Sequence, residues 1–261
     1  MSEFSKLFHE RIGLSQGQNI TLDSLDRVLE KTAQSIPFEN ICIINRKTSE
    51  ISKANLVDKI LIRREGGICY ELNSLFYFYL IENGFEAALV RGVVYNHVKQ
   101  DYQDLGRTHV SILVNHEGRS YVVDTGFGGN LPLKPVPLTG ETVSSNNGEF
   151  RIRKLDTNYG DYVLEMKLKH KDTEWKIGYA FDTRKPIYDV TEFNEIQSII
   201  AEHPESPFNK VPLLARLTSN GNITLTNFTW TEWKEGKVSK ETIEAERFKE
   251  LAKQYFSLNQ D

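Results

Sequence analysis

Cysteine is scarce in this chain, with two residues in 261. That excludes a disulfide scaffold and fits a reducing compartment. No apolar run approaches the roughly eighteen residues of a membrane helix. The most apolar stretch, LNSLFYFYLI at Leu72 to Ile81, is short and reads as a buried helix. A basic block is also missing. The formal net charge is −4, and the 32 Lys and Arg residues are dispersed, so nothing points to nucleic acid. The start, MSEFSKLFHERIG, is acidic early and lacks the apolar stretch of a signal peptide. No HExxH or CxxC spacing suggests a metal. Repeats and low-complexity linkers are absent too. These absences leave a soluble cytosolic protein with no membrane or nucleic-acid partner as the expectation.

What is present has a clear order. Leu22, Leu25, Val28 and Leu29 recur at helical spacing, with Thr21 or Asp23 as the expected cap. Leu56, Val57, Ile60 and Leu61 do the same behind Ser52 or Asn55. A third helix follows Cys69 and stops at Asn83-Gly84. From Ala87 the period shortens. ALVRGVVY, THVSILV, SYVVDTG, FRIRKLD, YVLEMKLKH and WKIGYAF are strand-like runs, which suggest an antiparallel barrel or sandwich. The proline-rich segment from Asn130 to Asn147 reads as a long loop. VTEFNEIQSIIAEHP reads as a helix ended by Pro204. Leu213 to Phe228 reads as a hairpin about Ser219-Asn220-Gly221, on the positive φ that Asn-Gly favours, and Glu241 to Phe256 as a closing amphipathic helix. Helices, then strands, then a small mixed piece make an α+β arrangement.

Cys69 follows Gly66-Gly67 and opens a helix, where the N-terminus favours a thiolate nucleophile. The alternative is a buried structural thiol, the role assigned to Cys42 in ICII. A nucleophilic cysteine needs a base, and the base needs an orienting group. THVSILV and SYVVDTG are joined by NHEGR. A two-residue turn at Glu117-Gly118 sets His116 against Arg119 and places His109 diagonal to Asp124 on one face. A turn at His116-Glu117 sets His109 directly opposite Asp124, and a three-residue loop separates them onto opposite faces unless a bulge intervenes. A cross-strand surface pair is the competing reading of His109 and Asp124. The other histidines offer less: His9 is near the terminus, His97 in a polar loop and His116 in the turn. His170 sits between Lys169 and Lys171, and His203 precedes Pro204. Gly126-Phe127-Gly128-Gly129, just after Asp124, can present backbone amides to a phosphate or carbonyl oxygen, although it matches no nucleotide-binding loop.

Taken together, IPFEN at 36–40, GGICYELN around Cys69, THVSILV with His109 and VDTGFGGNLPLKPVPL from Val123 resemble the arylamine N-acetyltransferases. So do YAFDTRKP at 179–186, EFNEIQSIIAEHPESPF and LTSNG, so the likeness spans nearly the whole chain. The resemblance implies a helical bundle over 1–85 carrying the nucleophile, a β-barrel over 86–190 carrying His and Asp, and an α/β lid over 191–261. It implies a Cys69–His109–Asp124 triad like that of papain-like cysteine proteases and transglutaminases. That triad would acetylate itself from acetyl-CoA and pass the acetyl group to an arylamine or hydrazine, with no metal. It also makes Thr108, Gly126, Gly128 and Thr218 neighbours of CoA, and Phe38 and Phe127 the lining of an aromatic acceptor pocket; the competing reading of both rings is core filling. One departure stands out. The family usually has Arg immediately before Gly-Gly, where this chain has Glu65 preceded by Arg64. A carboxylate there would oppose a thiolate unless Arg63 or Arg64 engages it. A thiol hydrolase or amidase, a macrolactam-forming amide synthase and a non-catalytic binding module are the alternatives. The first two would use the same triad.

Overall fold

The computed structural model describes residues 2–169 and 171–258, so His170 lies outside the described residues. Helices α1 (Glu3–Ile12) and α2 (Leu25–Ser35) open the chain. Ser24, rather than Thr21 or Asp23, occupies the cap position of α2. Its hydroxyl is committed to the N–H and carbonyl of Thr21, so the helix has no side-chain cap. Short elements β1 (Phe38–Glu39), α3 (Ile41–Ile44) and α4 (Lys53–Leu56) follow, and Ser52 caps α4 by accepting the Asn55 N–H. The apolar period over 56–61 reads as one helix, but Val57–Ile62 is wound as a π-helix. Helix α5 (Cys69–Glu82) is buried around most of its circumference, as expected for a helix apolar on nearly every side. It ends at Asn83-Gly84 as its sequence indicates.

Nine strands form the central sheet: β2 (Glu86–Asn96), β3 (Asp101–Tyr102), β4 (His109–His116), β5 (Arg119–Val123) and β6 (Val136–Pro137), then β7 (Val143–Ser145), β8 (Gly148–Thr157), β9 (Gly160–Leu168) and β10 (Lys176–Phe181). The order β6-β5-β4-β2-β10-β9-β8-β7, with β3 on β2 and β6 approaching β8, makes a nearly closed antiparallel barrel. Val90, Val122, Phe150, Ile152, Leu164 and Phe181 fill its interior. Leu89, Val110, Ile112 and Val114 face the other way and join the core built on α5. Strands β2 and β4 are therefore buried on both faces, which accounts for their almost unbroken apolar runs. The segment 130–147 is not a loose loop. Leu131, Leu133 and Val136 are buried, and it carries both edge strands of the barrel, where Pro137 costs no ladder bond.

The chain then runs through a 3₁₀ turn (Val190–Phe193) into α6 (Asn194–Glu202), which ends at His203 before Pro204. Strands β11 (Leu213–Thr218), β12 (Gly221–Thr226), β13 (Thr229–Lys234) and β14 (Lys237–Thr242) meander into a second sheet, whose free edge is taken by β1 through Phe38 and Ala215. The first hairpin turns at Ser219-Asn220, and neither Asn220 nor Gly221 has positive φ. Gly221 answers to sterics instead: a Cβ there would lie 1.8 Å from the Trp233 carbonyl oxygen. Helix α7 (Ala245–Phe256) begins later than the sequence suggests because Glu241 and Thr242 belong to β14. It covers the sheet with Phe248, Leu251 and Phe256 against Leu214, Ile223 and Leu225.

Candidate active site

The β4–β5 hairpin decides among the three registers. His116 pairs with Arg119 and Ile112 with Val123, around a two-residue turn at Glu117-Gly118. Both turn residues have positive φ, 48° and 74°, the geometry whose twist suits a tight hairpin. Asp124 is the first residue past β5 and His109 the first residue of β4, diagonal to it. His109 Nε2 lies 2.8 Å from Asp124 Oδ2, with both side chains buried. Of the candidate arrangements, the diagonal pair is the one formed.

Cys69 is the first residue of α5. Its thiol donates to the Thr108 carbonyl at 3.4 Å and lies near the His109 imidazole, whose hold on a proton it helps to strengthen. Since Asp124 occupies Nε2, Nδ1 is the ring nitrogen left for sulfur. Only 7 % of Cys69, 4 % of His109 and 2 % of Asp124 is exposed, so bulk water is largely kept from the thiol. Burial alone would push the imidazole down. The charge and hydrogen bond of Asp124, with a smaller contribution from Cys69, outweigh it and raise His109 to about 10. The arrangement therefore favours an imidazolium at neutral pH.

Asp124 accepts four hydrogen bonds. His109 and the Tyr179 hydroxyl (3.0 Å) reach Oδ2, while Asn73 Nδ2 (2.9 Å) and the Gly126 N–H (2.7 Å) reach Oδ1. Asn73 also donates to the Val110 carbonyl and accepts the Thr125 N–H, so it ties α5 to β4 and to the segment just past β5. The Tyr179 ring packs 4.3 Å from His109, and burial with the nearby Asp124 charge holds its hydroxyl in the neutral, donating form. Asn73 and Tyr179 escaped the sequence reading as site residues. Asn73 carries a usable signal, since it lies one turn after Cys69 on a largely apolar helix. Tyr179 has no local signal beyond its place in YAFDTRKP.

The remaining candidates divide into two groups. Thr108, Gly126 and Phe127 adjoin Cys69, His109 and Asp124. A Cβ on Gly126 would lie 2.5 Å from Cys69 Cα, so the absence of a side chain lets these two backbones touch. The Phe127 ring is 5.1 Å from both His109 and Tyr179. Gly128 has φ 59° and open space beside it. Phe38 packs on Phe208 at 5.8 Å and on the α5 core, and its backbone bridges Gly67, two residues before Cys69. Thr218 lines a cleft of about 290 Å³ with Asn146, Lys169, Lys171, Trp233 and Lys234, and neither Cys69, His109 nor Asp124 lines it. Leu133 and Leu217 form one wall of that cleft and belong to a cluster against which Phe127 packs. Phe127 thus bridges cleft and imidazole.

Glu65 has a partner of its own. Its carboxylate pairs with Arg63 at 2.7 Å and accepts a weak contact from Cys42 at 3.7 Å. Cys42 is half-buried rather than core, and burial raises its thiol to about 11. His9 is not a loose terminal residue; it is buried and bonded to the Tyr79 hydroxyl at 2.9 Å. His97 binds the Ile177 carbonyl, and His203 accepts the Glu205 N–H beyond α6.

Comparison with known proteins places this geometry in context. A family model described as N-acetyltransferase matches residues 21–261. The solved arylamine N-acetyltransferase C of Bacillus anthracis is 42% identical, with a TM-score of 0.93 over 98% of this chain and 99% of its own. The arylamine N-acetyltransferase NAT3 of Bacillus cereus is 38% identical, with a TM-score of 0.94 and full coverage of both chains; it is described as having a Cys-His-Glu catalytic triad. In the present chain the acid bonded to His109 is an aspartate. The Bacillus subtilis acetyltransferase YvcN is 36% identical over 98% of each chain.

Proposed function

The chain belongs to the arylamine N-acetyltransferase family, and from that premise we propose that it moves an acetyl group from acetyl-CoA to aromatic amines and hydrazines through an acetyl-Cys69 intermediate. The observation that carries this reading is Cys69 at the N-terminus of a buried helix, beside an imidazole anchored by Asp124. Cys69 thiolate attacks the thioester carbonyl, the carbon–sulfur bond to CoA breaks, and His109 gives its proton to the departing sulfur. In the second half the amine nitrogen attacks acetyl-Cys69 and His109 takes the amine proton. Thiolate then leaves, releasing the N-acetyl product. The same chemistry extends to the hydroxyl of N-hydroxyarylamines.

Near-complete burial of Cys69 favours transfer over hydrolysis, because water reaches the acetyl group poorly while a bound amine can replace it. We assign Phe127 and Phe38 to the aromatic acceptor, and Thr108, Gly126, Gly128 and Thr218 to CoA. The phosphates of CoA suit a cleft bordered by Lys169, Lys171 and Lys234. The scarce cysteines suit a cytosolic setting.

Initial rates over a grid of acetyl-CoA and aminosalicylate concentrations test the reading. Parallel double-reciprocal lines, with CoA release that depends on the amine, are expected. CoA release equally fast without amine would assign the triad to a hydrolase.

A further inference from the structure

Three charged side chains are buried behind the nucleophile. Lys59 Nζ lies 2.6 Å from Glu71 Oε1 and 3.9 Å from Glu39 Oε1, and none of the three residues is more than 7 % exposed. A set of this kind is expensive to bury and contributes little to stability over an apolar equivalent, so its presence asks for another reason. Its remaining contacts point to one. Glu71 Oε2 accepts the Ile68 N–H at 3.1 Å, immediately before Cys69. Glu39 Oε2 accepts the Ile41 N–H at 2.6 Å, while the Glu39 backbone N–H binds the Gly67 carbonyl at 2.9 Å. The two glycines fit against these same side chains, Gly66 also against the Pro37 carbonyl oxygen. A Cβ on Gly66 would lie 2.7 Å from Glu39 Cγ, and one on Gly67 would lie 2.9 Å from Glu71 Oε2.

Residues 66–68 are thus gripped between Glu39 and Glu71, and Lys59 is the cation that holds both. The segment before them is fixed separately, by Arg11 donating to the carbonyls of Arg64 (3.1 Å) and Glu65 (3.4 Å). The exposed Glu65–Arg63 pair takes no part in the grip. Lys59 itself sits in the π-helix, where a departure from regular winding often marks a functional requirement.

We propose that Lys59 is a positioning residue for the nucleophile: by holding Glu71 and Glu39 it fixes residues 66–68 and so sets Cys69 against His109. The proposal rests on Cys69 being the nucleophile. Removing the ammonium leaves two buried carboxylates facing each other without a counter-charge, and the segment they support is released.

The test is the rate of Cys69 acetylation by acetyl-CoA, followed by rapid quench and intact mass, in wild type, Lys59→Met and Lys59→Arg, well below each melting temperature. Lys59→Met is expected to lower the saturating acetylation rate at least tenfold while leaving the half-saturating acetyl-CoA concentration within twofold. Lys59→Arg is expected to recover most of the rate. If Lys59→Met does not fold, Lys59→Met with Glu71→Gln keeps an oxygen for the Ile68 N–H and leaves one buried carboxylate rather than two, and at least a threefold loss is expected. A folded Lys59→Met, or the double variant in its place, that acetylates within twofold of wild type overturns the proposal and leaves Cys69 as nucleophile intact. No acetyl-Cys69 in wild type removes the premise and the proposal together.

Discussion

At the scale of single residues, Asp124 holds the most demanding position, because four donors converge on one carboxylate. Asparagine offers one acceptor oxygen and turns an NH₂ toward donors, so Asp124→Asn should cut acetyl transfer ~10²-fold or more, measured as kcat/KM with acetyl-CoA. Tyr179→Phe removes one bond of the four. A net hydrogen bond is worth about 0.5–1.5 kcal/mol, so a roughly two- to tenfold loss is expected. His109 adds a dependence on pH. Its folded value is raised from 6.5 to about 10, so its contribution to stability is full below about pH 6.5 and is lost as pH climbs through about 10. Thermal melts of wild type and His109→Gln should therefore lie furthest apart at or below pH 6.5 and converge toward pH 10. A constant gap across that window would contradict the imidazolium assignment.

At the scale of elements, the β4–β5 hairpin is the device that brings His109 and Asp124 together, and its register was nearly legible in NHEGR. A turn of two residues at Glu117-Gly118 was one of three readings, and of the two positive φ angles there glycine relieves the one at 118. Gly118→Val should cost about 1–2 kcal/mol, or roughly 2–4 °C in melting temperature. A slip of one residue would carry Asp124 to the other face and abolish activity, so activity and stability together report whether the register survives. Elements whose signal comes from their own period, such as α5, β2, β4 and β8–β10, could be read from the chain. The π-helix was not legible, because apolar residues at 56, 57, 60 and 61 satisfy ordinary helical spacing equally well. Strand β14 was missed because all six of its residues are exposed, leaving no alternation to detect. The grip on Asp124 by Asn73 and Tyr179 was hidden for a different reason: it joins residues 51 and 55 positions away, through packing rather than local pattern.

At the scale of the whole molecule, the buried thiol and the cleft beside Thr218 are separated by Phe127 and its apolar neighbours. The account assigns chemistry to one and CoA binding to the other, so the two should respond to different substitutions. Lys169→Glu with Lys171→Glu should raise KM for acetyl-CoA about threefold or more, while acetylation by p-nitrophenyl acetate, which has no phosphates, stays within twofold. Equal losses with both donors would dissociate the cleft from CoA. The central claim, that Cys69 carries the acetyl group, is reached most directly by intact-mass measurement after mixing the protein with acetyl-CoA alone, then adding aminosalicylate. The account predicts one acetyl adduct on Cys69, absent in Cys69→Ala, retained in Cys42→Ser and discharged by the amine. No adduct, or one that persists in Cys69→Ala, would contradict it.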